Sequence, residues 1–136
     1  MRALVVDDAI MSRQVLRKIL EKHCDCDEAV DGEEAVEFVR IALGERQPYD
    51  LIMLDISLPS VDGQEALRRI REVEDECGIM LGDGTTVVMT TGHGDARNVL
   101  NAFENQCEGY LVKPVNEEKV IKELTRLGLL LENASR

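Results

Sequence analysis

Two adjacent acids, Asp7 and Asp8, follow the apolar run Ala3-Leu4-Val5-Val6. A third acid, Asp55, follows Leu51-Ile52-Met53-Leu54. Thr91 closes the run Thr86-Val87-Val88-Met89-Thr90-Thr91, and Lys113 comes directly after Tyr110-Leu111-Val112. Short runs rich in Val, Ile and Leu between turn signals read as strands. In an open parallel sheet, ligands bind beyond the carboxyl ends of the strands, near the point where strand order reverses. Folding would therefore bring these groups together although they are far apart in sequence. A lone acid at a strand end is ordinary and means little. Three carboxylates held close repel one another, and burial adds to the cost of their charge. A hard divalent cation relieves that repulsion. Mg²⁺ takes a few carboxylate oxygens, a carbonyl and several waters in octahedral array. Asp8 and Asp55 suit direct ligation, the Ser57 backbone carbonyl suits a third position, and Asp7 suits a metal-bound water.

The elements that must position these groups alternate strand and helix along the chain. Residues 2–6 form a first strand. Residues 12–22 carry Val15, Leu16, Ile19 and Leu20 at helical spacing, with Arg13, Arg17, Lys18 and Glu21 opposite. Asp8 is a candidate cap for this helix, because Ala9, Ile10 and Met11 follow it. A weaker strand is expected over Asp25–Val30. Asp31 then reads as a helix N-cap with Glu34 in capping-box position. Ala35, Val36, Val39 and Leu43 form that helix's apolar side, and Gly44 is expected to stop it. A third helix is expected over Gly63–Glu76 and a fourth over about Asp95–Gln106, with Val99, Leu100 and Phe103 on one face. Asn116 and Glu117-Glu118 open the last helix with a cap and acids that suit its dipole. Val120, Ile121, Leu124 and Leu127 are its apolar stripe. Five strands and five helices in alternation predict a doubly wound α/β fold with a parallel sheet. The stretch Cys77–Thr85, with Gly78, Gly82 and Gly84, makes one connection long, and it reads as a flexible surface loop.

The 136 residues predict one domain, with a core over about 2–128 and a short tail over about 129–136. Hydrophobic residues make up 44% and aromatics only 3%, so the core must be aliphatic. The net charge of −11 disfavours DNA and anionic lipid as partners and suits a cation or a basic protein surface. No apolar stretch approaches the roughly 20 residues a membrane span needs. No signal peptide or output domain is expected, which predicts a cytoplasmic protein, monomeric or weakly dimeric. The cysteines Cys24, Cys26, Cys77 and Cys107 match no zinc spacing. They read as small, reduced and mostly buried, with the thiols of Cys24 and Cys26 expected on opposite faces of a strand. His23 reads as a surface histidine.

Four segments, taken in order, carry a resemblance. They are Leu4-Val5-Val6-Asp7-Asp8, Asp55-Ile56-Ser57-Leu58-Pro59-Ser60-Val61-Asp62-Gly63, Thr91-Gly92, and Gly109-Tyr110-Leu111-Val112-Lys113-Pro114. In these the chain resembles the receiver domains of two-component response regulators, the chemotaxis-type single-domain members most closely. The resemblance implies a flavodoxin-like (β/α)5 fold with strand order 2-1-3-4-5. It implies a phosphoacceptor at Asp55, a Mg²⁺ site at Asp7, Asp8, Asp55 and the Ser57 carbonyl, and an essential lysine at Lys113 followed by a cis peptide to Pro114. It also implies a switch hydroxyl at Thr91, a switch aromatic at Tyr110, and positions that set phosphoryl lifetime at Ser57 and His93. The expected donor is a sensor histidine kinase. The expected readout is a partner docking on the face built from the fourth helix, fifth strand and fifth helix. Weak self-catalysed phosphorylation and autophosphatase activity are expected, rather than turnover of an external substrate.

Two alternatives stay within reach of the sequence: a relay that passes the phosphoryl group to a histidine phosphotransfer protein, and an interaction module that is never phosphorylated. Others are disfavoured. A haloacid-dehalogenase-type hydrolase needs a second acid two residues after its nucleophile, where this chain has Ser57. A flavodoxin-like FMN carrier would place a phosphate against Asp7 and Asp8. No nucleotide-binding glycine motif is present.

Overall fold

The computed structural model describes residues 1–92 and 96–130. Ten elements alternate: β1 (Arg2–Val6), α1 (Ile10–Leu20), β2 (Asp25–Ala29), α2 (Gly32–Gly44), β3 (Leu51–Asp55), α3 (Gly63–Glu76), β4 (Thr86–Thr91), α4 (Ala96–Glu104), β5 (Gly109–Val112) and α5 (Glu117–Arg126). The strands form one parallel sheet in the order β2-β1-β3-β4-β5. The order reverses at β1 and β3, the strands that end in Asp7-Asp8 and Asp55.

Burial on both faces explains why β1, β3 and β4 read as nearly continuous apolar runs, while β2 at the edge stays polar. Leu4, Val6, Ile52, Leu54, Val87 and Met89 face one core with Val36, Val39, Leu67 and Ile70 of α2 and α3. Ala3, Val5, Leu51, Met53 and Val88 face the other, with Leu16, Ile19 and Leu20 of α1 and Val120 and Leu124 of α5. Each face is one half of the period-2 alternation along the strands.

Three helices start on side-chain caps. Asp31 accepts from the Glu34 N–H at 2.8 Å, and Glu34 returns a bond from the Val30 N–H at 3.1 Å, so the expected capping box forms one residue wide of its usual partner. Asp62 caps α3 and Asn116 caps α5 in the same way. α1 differs from expectation. Its N-cap is Ala9, with no side-chain cap, and the helix begins at Ile10 rather than residue 12. Asp8 is not the cap. The acid that serves the chain entry is Asp7, whose Oδ1 accepts from the Ala9 N–H at 2.9 Å.

Other departures have simple causes. Gly44 lies inside α2, and the left-handed turn after it falls on Arg46, at φ 58°. Val15 is exposed, because α1 packs through Leu16, Ile19 and Leu20 alone. On α4, Leu100 and Phe103 are 64% and 47% exposed, and Ala102 takes the buried position. Cys107 is buried but Cys77 is exposed and Cys24 and Cys26 are half-buried, so the thiols are not mostly buried. The Cys24 and Cys26 sulfurs also lie 3.9 Å apart, on one side of the chain. Residues two apart along an extended strand share a face, which corrects the expected divergence. Among the described residues, no helix is long and apolar enough to cross a membrane.

Candidate functional site

The site assembles at the carboxyl edge of the sheet from backbone that leaves the strands. Asp7 continues β1 and remains paired to β2, its N–H donating to the Ala29 carbonyl. Asp55 is the last residue of β3, in register with Thr90. Ile56 then donates to the Thr90 carbonyl, and the Gly63 N–H donates to the Ile56 carbonyl. This draws α3 against the end of β3. A Cβ at Gly63 would collide with the Asp55 carbonyl oxygen and the Ile56 Cα, so glycine is a packing requirement here.

Asp7 is fully buried, Asp55 is buried and Asp8 is exposed. One carboxylate oxygen from each lies within 4.8 Å of the others. The Lys113 ammonium donates to Asp7 Oδ2 at 2.8 Å and to Asp55 Oδ2 at 3.1 Å. The Ser57 N–H donates to Asp55 Oδ1 at 3.1 Å. Burial pushes the Asp55 carboxyl above the usual carboxylate range, and the nearby Asp7 adds to this, against the Ser57 N–H and Lys113. For Lys113 burial is the largest influence and acts downward. Asp7 and Asp55 together outweigh it and hold the ammonium above its ordinary value. The cluster therefore keeps a charged lysine beside a carboxylate that resists ionisation.

The donor set consists of three hard carboxylate groups from the ends of two strands, β1 and β3, with Asp8 exposed to admit an ion. That chemistry fits a Mg²⁺ ion retaining part of its water shell, and would suit neither a soft metal nor a closed cage.

Thr91 is buried at the end of β4, and its carbonyl accepts from the Lys113 N–H at 2.7 Å. Through the β4–β5 register, in which Met89 pairs with Tyr110 and Thr91 with Val112, Thr91 and Tyr110 lie on the same face of the sheet. Tyr110 is half-buried against the core under α3 and α4. Thr90 is buried on the opposite face. Ser57 is exposed. The Lys113–Pro114 peptide is cis. His93 lies outside the described residues.

One contributor escaped the sequence reading. Arg13 looked like a solvent-facing residue of α1, yet its guanidinium donates to the Asp7 carbonyl at 2.9 Å and to Glu28 at 3.1 Å. Helical spacing placed it opposite the apolar stripe. Its long side chain reaches from the first turn of α1 back over the end of β1.

A family model described as response regulator receiver domain matches residues 3–125. The transcriptional regulatory protein ResD of Bacillus subtilis is 37% identical, over 99% of this chain and 50% of its own length. The chemotaxis protein CheY of Halobacterium salinarum is 34% identical, over 91% of this chain and 93% of its own. Thus the chain spans about half of the first relative and nearly all of the second. Among solved structures, the receiver domain of the histidine kinase CKI1 from Arabidopsis thaliana, complexed with Mg²⁺ and BeF3⁻, superposes with a TM-score of 0.77 at 30% identity, covering 89% of this chain and 87% of that one. With strand order, acidic cluster and lysine arranged as described, and a family match over nearly its whole length, this chain belongs to the response regulator receiver domains of two-component signalling.

Proposed function

We propose that the chain accepts a phosphoryl group on Asp55 from a histidine kinase or a small acyl phosphate, and that the modified form is recognised by a partner protein. The observation that carries this reading is the buried Asp55 carboxylate, gathered with Asp7 and Asp8 and ion-paired to Lys113. Asp8 and Asp55 would hold Mg²⁺, with the Ser57 carbonyl, while Asp7 would hold one of its waters. Bound there, the ion neutralises charge on the phosphoryl oxygens.

The chain's own groups do the rest. An Asp55 oxygen attacks phosphorus in line with the leaving group, forming an acyl phosphate. The barrier is mostly electrostatic, because charge spreads over the phosphoryl oxygens. Lys113 turns from its two carboxylates to pair with one of those oxygens. The Ser57 N–H, already aimed at Asp55 Oδ1, keeps the carboxylate oriented. The Thr91 hydroxyl binds another oxygen. Water later enters by the same route and releases phosphate, giving a slow autophosphatase, with Ser57 and His93 setting how water approaches.

The readout is a population shift. Movement of Thr91 toward the phosphoryl group frees space on the face it shares with Tyr110, and the surface of α4, β5 and α5 changes in response. Exposed Leu100 and Phe103 on α4 and Val112 on β5 give that surface the apolar character a protein partner needs.

Incubation with acetyl phosphate and Mg²⁺ tests the reading by intact mass. One phosphoryl group is expected in the wild type, none in Asp55→Asn, and none in the wild type with chelator. Modification that persists in Asp55→Asn would overturn it.

A further inference from the structure

A second group of reactive side chains lies away from the acidic cluster. Cys24 closes the turn after α1 and Cys26 is the second residue of β2, which is an edge strand. Their sulfurs are 3.9 Å apart and both residues are half-buried. Only weak contacts hold them, from Cys24 Sγ to the Leu20 carbonyl at 3.4 Å and from Cys26 Sγ to the Cys24 carbonyl at 3.8 Å. Cys26 also lines an open cavity of about 530 Å³ beside Arg2, Arg17, Asp27 and Tyr49, which gives access from solvent.

We propose that Cys24 and Cys26 form a binding site for a soft monovalent d¹⁰ cation, Cu(I) in the first instance. The geometry points to this class. A d¹⁰ cation can be held by two thiolates alone in a near-linear array, and with metal–sulfur bonds of about 2.3 Å the sulfurs would part from 3.9 Å to about 4.6 Å, a side-chain rotation for two half-buried cysteines. Zinc in a closed site asks for four protein ligands. Among the described residues, no third carboxylate, imidazole or thiol joins this pair in a cluster. Soft thiolates suit Cu(I), and a pair of them is enough to complete the site it accepts.

The chemistry balances without electron transfer. Each thiol loses its proton to solvent, each sulfur donates one electron pair to copper, and the product carries one net negative charge. Arg17, electrostatically coupled to Cys26, faces that charge. Burial raises both thiols, Cys26 to about 12, so binding must expel two protons and strengthens as pH rises.

The test uses the whole, reduced chain under anaerobic conditions. Cu(I) is supplied as its bicinchoninate complex, and protein-bound copper is measured after gel filtration. One copper per chain is expected. Iodoacetamide labelling read by peptide mass should then show Cys24 and Cys26 protected and Cys77 still alkylated. Cys24→Ser and Cys26→Ser should each lose the copper, and Cys77→Ser should keep it. Labelling of the wild type decides the matter even if a serine variant folds poorly. Copper left entirely with bicinchoninate, or bound while Cys24 and Cys26 remain open to alkylation, would overturn the proposal.

Discussion

Asp55 is more costly to the fold than its position at a strand end suggests. Its carboxyl is pushed upward by burial and by Asp7, and Lys113 with the Ser57 N–H does not cancel this. A group whose neutral form is favoured in the folded state loses stability when it ionises. Replacing it with an amide should therefore stabilise the metal-free protein. Asp55→Asn is expected to gain about 1 kcal/mol, the usual return from relaxing a strained functional position. Urea denaturation in chelator at neutral pH measures it, and a lower midpoint would contradict the account. The residues of this cluster were legible because each sits where an apolar run stops, a pattern that survives without any structure. Arg13 was not legible, because its contact is with the Asp7 backbone carbonyl, which no side-chain pattern in the sequence marks. His93 is named by resemblance alone, and lies outside the described residues.

The elements were read correctly where a side chain marks the boundary and less well where none does. Asp31, Asp62 and Asn116 each accept the third N–H of their helix, and all three helices begin directly after them. α1 has no such marker, and its start was misjudged. Exposed apolar residues misled in another way. Val15, Leu100 and Phe103 lie at helical spacing, but spacing cannot tell a face turned to the sheet from one left for a partner. Glycines separate boundary from packing in the same fashion. Gly44, at the end of α2, has open space where a Cβ would stand and no left-handed backbone, so Gly44→Ala should gain about 0.5–1 kcal/mol from helix propensity. Gly63 starts α3, and a Cβ there would strike the β3 backbone beside Asp55. Gly63→Ala should cost about 2–3 kcal/mol, since neither backbone can yield without shifting the site. Thermal melts of the two variants should therefore move in opposite directions, and a shared sign would show that helix propensity rather than packing governs Gly63.

The molecule keeps its two edges apart, with the acidic cluster at the carboxyl ends of the strands and a structural clamp at the amino ends. The long connection after α3 is anchored there. Glu74 is buried and accepts the Thr85 N–H at 2.7 Å, and Gly84 packs so closely on its carboxylate that no Cβ fits. Arg71 ties the corner together. It donates to Glu74 at 2.8 Å, the Thr85 carbonyl at 2.8 Å, Glu108 at 2.9 Å and the Gln106 carbonyl at 2.6 Å, so α3 holds the starts of both β4 and β5. The sequence reading saw only a glycine-rich flexible loop, because Glu74 stands among Glu72, Asp75 and Glu76 and nothing in that acidic run marks the one that turns inward. Arg71→Ala would leave the Glu74 charge buried with only the Thr85 N–H. Breaking such a pair costs about 3 kcal/mol, which should appear as a lower urea midpoint with an unchanged slope. Glu74→Gln in the same background removes the unpaired charge and should recover much of the loss, a coupling that independent residues would not show. Phosphorylation of Asp55 by acetyl phosphate, measured on the folded fraction, should stay within a factor of about two, because no group of the clamp touches the acidic cluster and effects at separate sites add. A large fall in that rate while the protein remains folded would mean that the amino-end clamp sets the geometry of Asp55 through β4.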